Sequence, residues 1–108
     1  MTRILIAGAL VTCLLSLSAW LPGAAAKQLL IVIENVAFGN TPTDVHAGDT
    51  IELLNKDFVA HTATARDGSF DLTLPPGKSA RVTLRRPGAI AFFCHYHPNM
   101  TGILDVGR

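Results

Sequence analysis

The sequence predicts an all-β protein over residues 27–108, folded as an antiparallel Greek-key β-sandwich. Short apolar or alternating segments recur there between clusters of Gly, Pro, Asn and Asp, which are strand and turn signals. No segment of this region repeats its apolar residues with the 3.6-residue period of a helix. Several short strands separated by regular turns are typical of a sandwich or a small barrel.

Five segments have the clearest strand character. The segment Thr50–Asn55 alternates, with Ile51 and Leu53 expected on one face. The others are Gln28–Ile33, Ala80–Arg86, Ala89–Cys94 and Gly102–Val106. Between them, Lys56–Leu72 has no regular pattern apart from a turn at Asp67-Gly68, so we predict an irregular connection there.

Residues 1–26 have the pattern of a secretory signal peptide. Arg3 supplies a positive charge, residues 4–21 are almost continuously apolar, and small residues precede Lys27. We therefore expect cleavage after Ala26, export to the periplasm, and one domain at 27–108. The apolar run is long enough to cross a bilayer, so a retained anchor is the alternative, which the break at Pro22 disfavours.

The charge balance excludes two classes of partner. Nine Lys and Arg residues stand against eight Asp and Glu, and Arg3 belongs to the leader. A domain this close to neutrality has no basic surface for nucleic acid and no polybasic patch for membranes. We expect no nucleic-acid partner, no stable membrane insertion after cleavage, and a monomer.

The only cysteine of residues 27–108 is Cys94, so this region has no internal disulfide. The thiol pairs between molecules, is buried and inert, is reactive, or holds a metal. Cys13 lies in the leader, where the larger Thr12 before it argues against lipid attachment.

The residues around Cys94 favour a metal. In the stretch FFCHYHPNMTG, His97 follows Cys94 by three positions and Met100 by six. A thiolate, two imidazoles and a weak axial thioether form the blue-copper pattern, whereas zinc makes little use of a thioether. The best candidate for the second imidazole is His61. Alternation along the strand turns His95 outward, and His46 is interpreted as a surface residue.

The patterns N-x5-H-T, at Asn55 to Thr62, and F-x-C-x2-H-P-x-M-x-G, at Phe92 to Gly102, resemble the cupredoxin family, especially its amicyanin- and plastocyanin-like members. The resemblance implies one type 1 copper ion bound by His61, Cys94, His97 and Met100. It also implies electron exchange through the edge of His97, with Pro98, Phe38 or Pro75 around it. Several relatives have an Asn, which ties the two ligand loops together, where this chain has Thr62; Asn55, Thr62 and Thr64 are the candidates to replace it.

Three functions follow from these residues. The first is a periplasmic electron carrier that cycles between Cu(I) and Cu(II) and docks transiently on a cytochrome, a dehydrogenase or an oxidase. The second is a module for copper sequestration or delivery that uses the same ligands. The third is an enzyme with Cys94 as a nucleophile activated by His97 or His61. Because no orienting acid or oxyanion donor stands out, we expect no enzymatic activity.

Overall fold

The computed structural model describes residue 2 and the ranges 7–14 and 25–108. Within these residues nine strands form two sheets: β1 (Gln28–Glu34), β2 (Ala37–Phe38), β3 (Val45–His46), β4 (Thr50–Asn55), β5 (His61–Ala65), β6 (Asp71–Leu74), β7 (Ser79–Thr83), β8 (Gly88–Phe93) and β9 (Thr101–Gly107). The described residues include no helix long and apolar enough to span a membrane. Of the predicted leader, residues 1, 3–6 and 15–24 lie outside the described ranges.

The predicted all-β sandwich is confirmed. One sheet has the strand order β2-β1-β4-β7, and the other has the order β3-β9-β8-β5-β6. Most neighbours are antiparallel, but β1 pairs with β4, and β3 with β9, in parallel. The parallel pairing of β1 with β4 arises because the chain leaves the first sheet after β2, adds β3 to the second sheet, and returns as β4.

The segment Lys56–Leu72, predicted as irregular, contains β5 and the start of β6. All five residues of β5 are buried, so burial does not alternate along this strand, although its sequence alternates Thr62 and Thr64 with alanines. Its threonines are tolerated inside because their hydroxyls are hydrogen-bonded to each other.

The core fills the space between the two sheets. Phe92 is its largest fully buried side chain, and its ring lies 4.7 Å from that of Phe38 and 6.2 Å from that of Phe70. Gly102 lies against this cluster, and a Cβ atom there would fall 2.3 Å from Cζ of Phe92. Every buried apolar residue of the described ranges lies between Ile31 and Val106, so residues 27–108 contain the whole described core.

The strand ends place the candidate ligands together. His61 begins β5, Cys94 follows β8 directly, and Met100 immediately precedes β9. Since β5 pairs with β8, and β8 with β9, these positions meet at one end of the second sheet.

Candidate metal centre

Three of the four predicted ligands converge. One potential ligand atom from each of His61, Cys94 and His97 lies within 4.8 Å of the other two. The Sγ atom of Cys94 lies 3.8 Å from Nδ1 of His61 and 3.8 Å from Nδ1 of His97. His61 and Cys94 are fully buried, and His97 is half-buried. The cluster is therefore closed on the protein side and reaches solvent through His97.

The fourth predicted ligand, Met100, is buried at the end of the same loop. Its N–H donates to the carbonyl of His97 at 2.8 Å, and its own carbonyl accepts the N–H of Cys94 at 3.1 Å. These two backbone bonds close residues 94–100 into a compact turn, which holds the thiol, an imidazole and the thioether on one short bend.

The environment of Cys94 favours a thiolate. Burial alone would raise the pKa of this thiol, but hydrogen bonds, of which those from the N–H of Thr62 and the imidazole of His97 are the largest, outweigh that effect and lower the pKa from 9.0 to about 6. The Thr62 N–H donates to Sγ at 3.3 Å. Because the thiolate is the form of cysteine that binds metals, this sulfur is prepared for coordination.

Thr62 also connects the two ligand-bearing segments through its side chain. Its Oγ1 accepts the N–H of His95 at 2.9 Å and lies 3.0 Å from Oγ1 of Thr64. The Thr64 hydroxyl in turn donates to Oδ1 of Asp71 at 2.8 Å. With the Thr64 proton committed to Asp71, the Thr62 hydroxyl donates to Thr64 and keeps a lone pair for His95. Of the three residues predicted to tie the loops, Thr62 makes the bond and Thr64 supports it.

Asn55, which was considered as a link between the two ligand loops, instead holds the connection from β4 to β5. It is fully buried, its amide donates to the carbonyls of Val59 at 2.8 Å and Leu74 at 2.9 Å, and its Oδ1 accepts the N–H of Asp57 at 2.9 Å. Asn55 therefore shapes the connection from β4 to β5, which carries His61 into the cluster.

The carboxylate of Asp57 fixes the far side of the His61 ring, a role that the sequence analysis missed. Its Oδ2 lies 2.7 Å from Nε2 of His61. The same carboxylate accepts the N–H groups of Val36 and Asn35, and these bonds, together with that of His61, hold the pKa of Asp57 below its ordinary value against the opposing effect of burial. A carboxylate four residues before a candidate ligand histidine was the available signal, because metal-binding histidines usually donate their other ring nitrogen to such a group.

The turn that Asp57 holds has a strained backbone. Asn35 and Val36 have φ values of 55° and 57°, in the left-handed region, which a β-branched residue such as Val36 rarely adopts. Non-glycine residues remain in this region only when their surroundings over-determine them. The two bonds to Asp57 supply that constraint, so one carboxylate connects the turn after β1 to the candidate ligand His61.

The other histidines lie outside the cluster, as predicted. His95 is exposed, and its ring packs on that of Phe93 with a centroid distance of 4.9 Å. His46 faces Asp44 at 3.6 Å. Of the residues considered as the surroundings of His97, Phe38 packs on Phe92 in the core, whereas Pro75 and Pro98 are exposed.

The geometry and chemistry of the donors suit a small soft or borderline metal ion. Nitrogen and sulfur donors bind such ions at about 2.0–2.3 Å, so two donors of one ion are separated by at most about 4.4 Å. The two sulfur-to-nitrogen distances of 3.8 Å satisfy this limit. Because Asp57 occupies Nε2 of His61, the ring directs its Nδ1 lone pair towards the cluster.

Comparison with known proteins identifies both a family and a fold. The sequence model of the Cupredoxin-like domain family matches residues 4–106. No curated protein sequence matches the chain.

Among solved structures, amicyanin from Paracoccus versutus is 22% identical, with a TM-score of 0.63 over 78% of this chain and 83% of that one. A purple cupredoxin from Nitrosopumilus maritimus is 20% identical, with a TM-score of 0.64 over 77% of this chain and 100% of that one. A Cu-containing nitrite reductase from Thermus scotoductus is 24% identical, with a TM-score of 0.65 over 75% of this chain but only 22% of that one. At these identities the likeness is one of fold.

Proposed function

This chain belongs to the cupredoxin-like domain family, and on that premise we propose that it is an exported mononuclear blue-copper protein that transfers electrons. One type 1 copper ion is the cofactor, and His61, Cys94, His97 and Met100 are positioned as a ligand set for it. When bound, copper supplies a single-electron couple between Cu(I) and Cu(II).

One observation carries the proposal: the Cys94 sulfur and two imidazole nitrogens lie within 4.8 Å of one another, with His61 and Cys94 wholly shielded from water. A trigonal set of two His and one Cys with an axial Met is typical of electron-transfer copper sites. Burial of the thiolate keeps water and small reactants away from it, which suits outer-sphere electron transfer and not substrate chemistry.

The residues around the donors hold them in fixed positions. Thr62 restrains the Cys94 sulfur through its N–H and the Cys94–His95 peptide through its hydroxyl. Asp57 fixes the ring of His61, and the bonds between Cys94 and Met100 and between Met100 and His97 close the ligand loop. A donor set that does not have to move suits rapid electron transfer, since little reorganisation accompanies the change of charge.

Electrons would enter and leave at His97. It is the half-buried member of the cluster, next to the exposed residues Tyr96 and Pro98. We propose that a redox protein such as a cytochrome, a dehydrogenase or an oxidase docks there weakly, as is usual for transient redox complexes. The signal-peptide pattern of residues 1–26 supports a periplasmic location.

Copper sequestration or delivery is the second candidate, because it would use the same ligands. Delivery requires a site that opens readily, whereas the bonds of Thr62 and Asp57 restrain both ligand segments. A thiol enzyme is disfavoured by the complete burial of Cys94, which leaves no path for a substrate to its sulfur.

The proposal is tested by adding Cu(II) to the purified protein and recording visible and EPR spectra and a voltammogram. An electron carrier gives an intense charge-transfer band in the visible region, a narrow copper hyperfine splitting and a reversible one-electron wave. A pale complex that loses copper to a mild chelator would favour delivery, and a protein that ignores copper would contradict both candidates. His95→Ala is the matched control, since it alters a neighbouring imidazole outside the cluster.

A further inference from the structure

Asp49 is a carboxylate buried at the turn before β4, and it is not part of the candidate metal centre. It is 2% exposed, and its two oxygens have three partners. Oδ1 accepts the backbone N–H of Lys27 at 2.8 Å, and Oδ2 accepts the N–H of His46 at 2.9 Å. The Lys27 side chain supplies the nearby cation, with Nζ 3.2 Å from Oδ2.

That lysine side chain is an incomplete counterion for a buried charge. It is 40% exposed, and its Nζ also lies 3.8 Å from the exposed carboxylate of Asp44. Buried charges are normally paired and fully hydrogen-bonded, because an unpaired one carries a large desolvation cost. Asp49 would therefore gain from a second positive charge at the position of its best-placed donor, the backbone nitrogen of Lys27.

The sequence supplies such a charge independently. Lys27 is the first residue after the predicted cleavage site, and Ala25 and Ala26 before it are exposed. The carbonyl of Lys27 accepts the N–H of Thr50 at 2.9 Å, so the residue is already docked on the strand that follows Asp49.

We propose that removal of residues 1–26 creates a structural ion pair between the new α-ammonium group of Lys27 and the buried carboxylate of Asp49. Hydrolysis adds one water across the Ala26–Lys27 peptide bond: Ala26 departs with the leader as a carboxylate, and the freed Lys27 amine takes up a proton. The donor that was a neutral amide becomes a cation at the same position, so a coulombic attraction between two opposite charges is added to the hydrogen bond that Asp49 already accepts.

The ion pair forms only if the leader is cleaved directly after Ala26. Cleavage one residue earlier would leave a neutral amide against Asp49, and cleavage one residue later would remove both the amide and the lysine side chain. The ion pair would fasten the start of β1 to the turn between β3 and β4. The inference rests on the predicted cleavage and not on copper binding.

Two chains test the pair, since residues 27–108 contain the whole described core. One begins at Lys27 and the other at Ala25, and thermal unfolding of both is followed at pH 7, metal-free and copper-loaded. We expect the Lys27 chain to unfold roughly 5 °C higher, in both metal states. Equal midpoints would overturn the proposal, and a difference seen without any copper binding would leave it standing while contradicting the proposed function.

Matched variants locate the effect. Asp49→Asn should abolish the difference between the two chains, whereas Asp44→Asn, which alters the exposed partner of the same lysine, should leave it intact. Lys27→Met keeps the α-ammonium group and should also preserve the difference. If Asp49→Asn does not fold, acetylation of the Lys27 α-amine serves instead, and it should lower the midpoint to that of the Ala25 chain.

A second experiment follows export of the full chain with its leader. The mass of the secreted product is expected to correspond to a chain that begins at Lys27. A secreted product that begins at another residue would overturn the proposal.

Discussion

The Nε2 atom of His61 lies 2.7 Å from Oδ2 of Asp57, while Nδ1 of the same ring faces Sγ of Cys94 at 3.8 Å. One imidazole thus joins a carboxylate to the donor cluster. With Nε2–H donating to Asp57, the tautomer that leaves the Nδ1 lone pair free is the one the hydrogen bonds select.

Removal of the Asp57 carboxylate should weaken copper binding. Since outer partners of metal-binding histidines are typically worth 10–100-fold in affinity, we expect Asp57→Ala to lower the copper affinity by roughly that factor and Asp57→Asn by less. Competition with a chelator of known affinity measures it. Asp44→Asn, which alters the carboxylate facing the exposed His46, is the control. Equal copper affinities for all the variants would show that Asp57 does not support copper binding through His61.

The Thr62 hydroxyl should contribute to both stability and copper retention. Thr62→Val keeps the N–H that donates to Cys94 but leaves the His95 N–H without its acceptor. We expect a loss of about 1–3 kcal/mol in the free energy of unfolding and faster copper release, with much of each restored by Thr62→Ser. Urea unfolding and stopped-flow transfer to a chelator measure the two effects. Thr73→Val, at an exposed position paired with Thr62 across the strands, should change neither.

Replacement of Met100 by leucine should change the reduction potential but not the ability to hold copper. The side chain is buried, and leucine nearly conserves its volume, so the fold should lose less than about 1.5 kcal/mol. The potential should rise, because a weak axial donor that favours Cu(II) has been removed. Voltammetry measures the reduction potential, and visible spectroscopy measures the charge-transfer band. If neither the potential nor the spectrum changed, Met100 would not be the axial ligand.

Gly102 should tolerate no side chain while Phe92 remains in place. An added Cβ would lie 2.3 Å from Cζ of Phe92, whose ring is held by Phe38 and Phe70. We expect Gly102→Ala to cost about 1–3 kcal/mol of unfolding free energy, measured by urea denaturation. The double variant Gly102→Ala/Phe92→Leu should lose less than the sum of its two single changes; simple additivity would show that the clash does not occur.

Asp49 should make the domain sensitive to acid. The N–H groups of Lys27 and His46 lower the pKa of its carboxyl from 3.8 to about 2 in the folded protein. Because the folded pKa lies below the unfolded one, its contribution to stability is complete above pH 3.8 and disappears as the pH falls through about 2. Unfolding midpoints measured between about pH 5 and about pH 2 should fall less steeply in Asp49→Asn; identical slopes would contradict this.

Much of the fold was predictable where burial alternates along a strand. In β4, Ile51 and Leu53 are buried as expected from the alternation, and the apolar segments at β1, β8 and β9 form strands near the predicted positions. β5 was not predictable in this way, because its buried threonines look polar in the sequence and only their hydrogen bonds, which the fold creates, make burial tolerable. The parallel pairing of β1 with β4 depends on a crossover to the other sheet, which no local pattern encodes.

The candidate ligand residues could be chosen from the sequence, whereas most of the residues that hold them in place could not. Cys94, His97 and Met100 lie so close in sequence that one loop must hold them, and His61 was the remaining plausible imidazole. Asp57 lies in an irregular connection and was missed, and the choice among Asn55, Thr62 and Thr64 as the residue that ties the loops depends on hydrogen bonds that only the folded chain forms.

X-ray absorption at the copper edge of the loaded protein tests the proposed ligand set, because it counts the atoms bonded to the ion. We expect one sulfur and two imidazole nitrogens at bonding distances of about 2.0–2.3 Å, and loss of the sulfur in Cys94→Ser. A first shell of nitrogen and oxygen atoms alone in the unaltered protein would contradict it.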